Sequence, residues 1–128
     1  ELTPEISVFE AGLDRFFNLK KKNKFIGSEV INKKLSGKIE IKLVYLEVEA
    51  EMADVLGNEP IYYNNKRVGL TTSGAYGFRI KKSLAFAYIN ADLIKIGTEF
   101  LIDIQGKKIT AKIIEEPAFD PKNLRLKS

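Results

Sequence analysis

Gly57-Asn58-Glu59-Pro60-Ile61-Tyr62-Tyr63-Asn64-Asn65-Lys66-Arg67-Val68-Gly69-Leu70-Thr71-Thr72-Ser73-Gly74-Ala75-Tyr76-Gly77 decides the fold. Pro60–Tyr63 and Lys66–Thr71 are two short runs rich in β-branched and aromatic residues. Between them stand Asn64 and Asn65, which tolerate the positive φ of a tight hairpin turn. A hairpin follows, ending in a loop spaced by Gly69, Gly74 and Gly77. Hydroxyls and free amides around Thr71-Thr72-Ser73 suit an anion. No Gly-Lys-Ser/Thr follows, however, and no dinucleotide fingerprint sits in a strand–helix setting, so a plain turn between strands is the simpler reading.

The pattern continues outward. Ile39, Ile41, Leu43, Tyr45 and Glu47 alternate with Glu40, Lys42, Val44 and Leu46, which predicts a strand with the first set inward. Glu49–Leu56 is ambiguous and closes at Gly57. Ser83–Ile89 predicts a further strand, with Phe86 and Tyr88 filling the interior and small alanines admitting a close neighbour. Ala91–Gly97 reads as a helical turn or loop. Glu99–Ile104 and Lys108–Ile114 pair across Gln105-Gly106-Lys107, and Phe119-Asp120-Pro121 turns into a basic tail. Residues 38–128 therefore hold about six short strands, the spacing of a small barrel or sandwich.

Residues 1–36 differ in texture. Phe16–Leu19 predicts a short strand ending at the lysine cluster of residues 20–24, itself plainly a solvated loop. Ser28 is expected to cap a helix reaching Leu35, with Gly37 as its stop. The fold class is thus mainly β, a small barrel or sandwich preceded by a short α/β arm.

Composition excludes much chemistry. The 128 residues contain no cysteine and no histidine, so thiol nucleophiles, zinc–thiolate sites and a Ser-His-Asp triad are ruled out. We expect no metal, and any catalysis would have to use Asp, Glu, Lys, Tyr or Arg. Glu99 and Asp103 share a strand face, but exposed carboxylates on strands serve solubility. The net charge of +4 is spread along the chain, where a nucleic-acid surface concentrates it. No apolar run approaches the ~20 residues of a membrane span, so neither nucleic acid nor membrane is an expected partner. Glu1–Glu5 has no leader character, and a cytoplasmic location is expected. The first residue is Glu rather than Met, and we expect an end piece of a longer chain. Tyr76, between Ala75 and Gly77, is expected to project from a loop. Arg15 and Arg79 suit a ligand carboxylate, although a surface ion pair is the commoner fate.

Four blocks resemble the C-terminal region of the glycine-cleavage T-protein superfamily, nearest its dimethylglycine and sarcosine dehydrogenase branch. They are Glu10-Ala11-Gly12-Leu13 with Phe25-Ile26-Gly27; Gly57-Asn58-Glu59-Pro60-Ile61 with Val68-Gly69; Thr72–Gly77 running to Lys82–Tyr88; and Gly97, Ala111, Asp120-Pro121 and Arg125. The resemblance implies a C-terminal β-barrel over 37–128 and the end of a folate-binding region over 1–36. It implies tetrahydrofolate as cofactor of the parent protein and FAD in a domain outside this chain. The partners would be upstream domains of the same polypeptide, and the isolated chain would be inactive. Arg15 stands where relatives present an aromatic folate contact, and Ser28 where they present a basic residue. With Tyr76 and Arg125, these are the folate-binding candidates. A flavin-free aminomethyltransferase is the alternative. A free-standing barrel binding single-stranded RNA is a third reading.

Overall fold

The computed structural model describes residues 1–16, 25–115 and 117–127. Six strands dominate: β1 (Ile41–Val48), β2 (Pro60–Tyr63), β3 (Lys66–Gly77), β4 (Lys82–Asn90), β5 (Glu99–Ile104) and β6 (Lys107–Ile113). Two helices, α1 (Ser28–Leu35) and α2 (Leu124–Lys127), lie outside them. The strands close into an antiparallel barrel in the order β1-β4-β3-β2-β5-β6. Among the described residues no helix is long and apolar enough to cross a membrane.

The two tight turns follow from local chemistry. Asn64 and Asn65 sit at φ 49 and 60, and Gln105 and Gly106 at φ 52 and 80. Successive positive φ values match the twist of the strands they join. Each hairpin then brings apolar alternation to one face. The interior holds Val44, Leu46 and Val48 of β1, Ile61 of β2, Val68 of β3, Ala85, Ala87 and Ile89 of β4, Phe100, Ile102 and Ile104 of β5, and Ala111 and Ile113 of β6. Val55, from the irregular 49–59 crossing, plugs the same core and is fully buried. At about 1.5–3 kcal/mol for each large apolar side chain buried, these residues dominate the stability.

Several expectations are corrected. β1 is inverted: Val44, Leu46 and Val48 point inward, while Leu43 and Tyr45 are half-buried on the outer face. Phe86 and Tyr88 likewise lie outside rather than filling the barrel. The register explains both, because Val44 pairs with Ala87 and Leu46 with Ala85, while Tyr45 faces Phe86. A six-stranded interior already holding Phe100 takes alanines from β4. The glycine-spaced loop after Thr71 is instead the continuation of β3, and Tyr76 belongs to that strand. The helix over 28–35 is present, but Gly27, in a left-handed conformation, is its N-cap, and Ser28 makes no side-chain cap. Phe16 lies in a 3₁₀ turn, Asp14–Phe16; the rest of its expected strand and the lysine cluster fall outside the described residues.

The amino-terminal segment packs on the barrel's outer face. The Leu43 amide donates to the Glu10 carbonyl at 2.8 Å, and the Tyr88 hydroxyl to the Glu1 carbonyl at 2.8 Å. Phe9 and Ala11 are buried.

Candidate functional site

The Gly57–Glu59 turn and the middle of β3 form one unit. The Glu59 carboxylate accepts the amides of Leu56 and Gly57, each at 2.9 Å, and the Thr71 hydroxyl. The Glu59 amide in turn donates to Thr71 Oγ1 at 2.9 Å. Burial pushes this carboxyl up, but the bonds from Thr71, Leu56, Gly57 and its own amide outweigh it and hold the group below the ordinary value of 4.5. Gly57 fits because it adopts φ 121 and because a Cβ there would lie 2.5 Å from the Thr72 carbonyl oxygen.

Beside this turn β3 bulges. Thr71 pairs with Ala87 and Ser73 with Phe86, so Thr72 is the inserted residue. The Thr72 hydroxyl donates to Glu1 Oε1 at 3.1 Å, and the Ser73 hydroxyl donates to the same oxygen. These bonds, Ser73's first, lower the Glu1 carboxyl against the opposing pull of burial. Tyr88 is pushed up by burial, then by the charges of Glu1 and Glu10. Adjoining the bulge is an open cleft of about 260 Å³, lined by Tyr45, Ser73, Tyr76, Leu84 and Phe86 among others. Tyr45 and Phe86 stack there at 4.8 Å.

A third cluster gathers at the β3–β4 turn. Tyr76 meets Phe78 edge-on at 5.1 Å. Arg79 lies 5.7 Å and Arg125 5.5 Å from the centroid of Phe119. The sequence had suggested only a basic tail after Pro121; Asp120 instead accepts the amides of Leu124 and Arg125 at 2.8 and 3.0 Å and holds α2. An aspartate four residues ahead of Leu-Arg-Leu-Lys was the available signal.

Of the four sequence candidates, Tyr76 and Arg125 thus belong to adjoining aromatic and arginine contacts around the β3–β4 turn. Arg15 and Ser28 lie on the amino-terminal segment, Arg15 over the Phe16 ring at 5.0 Å. Sequence reasoning missed Glu59 as an internal acceptor, since its partner Thr71 is 12 residues distant. Among the described residues no cluster of three or more His, Cys, Asp or Glu is placed to hold a metal.

Fold and surface together define a closed antiparallel barrel with a half-buried aromatic flank. Residues 42–120 match the family described as glycine cleavage T-protein C-terminal barrel domain, and the chain belongs to that family. It is 39% identical over 117 residues to the mitochondrial dimethylglycine dehydrogenase of Homo sapiens, covering 91% of this chain and 14% of that protein. It is 30% identical over 119 residues to an aminomethyltransferase of Prochlorococcus marinus (strain NATL1A), covering 93% of this chain and 32% of that protein. The glycine cleavage system aminomethyltransferase T of Bartonella henselae has the same fold, with a TM-score of 0.83 at 23% identity over 94% of this chain and 34% of that one. The chain therefore spans between 14% and 34% of these relatives' length.

Proposed function

We propose that this chain is the carboxy-terminal barrel of a folate-dependent, FAD-linked dehydrogenase of dimethylglycine or sarcosine, and that it completes the tetrahydrofolate site of the larger protein. The observation carrying this reading is the higher identity to the dimethylglycine dehydrogenase than to the aminomethyltransferase, 39% against 30%, over nearly the whole chain. Residues 1–36 are then the end of the folate-binding region, and the barrel starts near Gly37. Upstream domains of the same polypeptide are the partner.

The residues present fit one side of such a site. Arg125 and Arg79 around Phe119 suit the carboxylates of a folate tail, and Tyr76 offers a ring to a flat group. Arg15 and Ser28 would contribute from the amino-terminal segment. The open cleft beside Tyr76, at about 260 Å³, falls short of the roughly 300–1,000 Å³ of a complete ligand pocket, which agrees with a wall supplied to another domain. When bound, tetrahydrofolate would take up the one-carbon unit released by amine oxidation. The chain carries no dinucleotide fingerprint for FAD, which is assigned to a separate domain.

The test uses the full-length parent. It should carry flavin absorbance and oxidise an N-methyl glycine. Arg125→Ala should raise the KM for tetrahydrofolate severalfold with little change in flavin reduction. A flavin-free parent that transfers aminomethyl carbon would favour the second reading, an aminomethyltransferase, for which the shared fold with the Bartonella henselae protein speaks.

A further inference from the structure

We propose that the β3 bulge is a carboxylate seat, and that it takes small aromatic carboxylates whose ring lies in the adjoining cleft of Tyr45, Tyr76 and Phe86. The argument begins with alternation. Consecutive strand residues point to opposite faces, so Thr72 and Ser73 in a regular β3 would present one hydroxyl on each side. The register shift between Thr71 and Ser73 removes that opposition. Bulges re-aim side chains in this way. As a result, both hydroxyls converge on one carboxylate oxygen, Oε1 of Glu1.

The seat is held from behind. Glu59 fixes Thr71 and the Leu56–Gly57 amides, and Gly57 leaves room for the Thr72 carbonyl. Thr72 and Ser73 are themselves half-buried, and the Tyr88 hydroxyl lies alongside, donating to the Glu1 carbonyl. Ser73 also lines the aromatic cleft, so seat and cleft share a wall. A space of about 260 Å³ admits one ring, since a cavity of roughly 150 Å³ holds benzene. In this structure the Glu1 carboxylate occupies the seat, so a free ligand competes with it. Two hydroxyl donors give a weak site, with a dissociation constant in about the millimolar range. This inference stands apart from the folate reading.

The experiment is an amide-resolved NMR titration of the whole chain with sodium benzoate, acetate and benzyl alcohol in parallel. Benzoate should shift the Thr72, Ser73 and Tyr76 amides, and Glu1→Ala should tighten it by about tenfold, or 1.4 kcal/mol. Acetate, standing for an acidic side chain, should bind several-fold more weakly, and benzyl alcohol should leave Thr72 and Ser73 unmoved. Ser73→Ala, with an otherwise unchanged spectrum, should weaken benzoate. Unmoved Thr72 and Ser73 amides in Glu1→Ala would overturn the seat. Equal binding of acetate and benzoate would overturn the aromatic assignment.

Discussion

Glu59 is a partly buried carboxylate with a structural task. Its stabilisation exists only while it is ionised, because its folded pKa lies below the ordinary 4.5. That contribution is complete above the unfolded value, starts to fall as pH drops past it, and is lost below the lowered folded value. Glu59→Gln should therefore lower stability at neutral pH by about 1–2 kcal/mol and flatten the acid limb of the pH–stability curve. Urea unfolding at pH 7 and pH 3 measures both; an equal loss at the two values would contradict the ionised role. Gly74 makes a different demand. A Cβ there would stand 2.6 Å from Cβ of Val55 and 2.8 Å from its carbonyl oxygen. Gly74→Ala should cost about 3 kcal/mol by displacing the Val55 plug, read as a lowered denaturation midpoint. Both residues stand out in the sequence as parts of glycine-spaced blocks. Their reasons do not, since each contact crosses between segments that only the folded barrel brings together.

Among the elements, the hairpins were legible and the face of β1 was not. Asn64-Asn65 and Gln105-Gly106 announce turns through the conformations they tolerate. In β1 both faces are apolar, Leu43 and Tyr45 on one and Val44, Leu46 and Val48 on the other, so alternation alone does not choose between them. Pairing with the alanines of β4 makes the choice. Register also ranks the seams. β1 and β4 pair from Ile41 with Asn90 through to Val48 with Ser83, while β2 and β5 pair only at Ile61 with Ile102 and Tyr62 with Leu101. Native-state hydrogen exchange should open the β2–β5 seam first, its amides exchanging at least about tenfold faster than those bridging β1 and β4. Uniform protection around the ring would contradict that order.

At the scale of the molecule, about six strands were readable from spacing, which left barrel and sandwich open, whereas closure and the order of the strands were not, because they depend on pairings between distant segments. The division near Gly37 is open to a direct measurement. A chain starting at Gly37 loses the buried Phe9 and Ala11 and the bonds to Leu43 and Tyr88. It should keep a β-type far-ultraviolet spectrum, lose about 2–4 kcal/mol of stability, and bind a hydrophobic dye at the uncovered flank. An unfolded product would place residues 1–36 in the same folding unit as the barrel.

The ring of strands ends where it began, with β6 paired to β1. A neighbour consequently finds no free outermost strand of an open sheet to extend. Attachment of this piece can then be rewritten by surface substitutions while the scaffold beneath stays as it is.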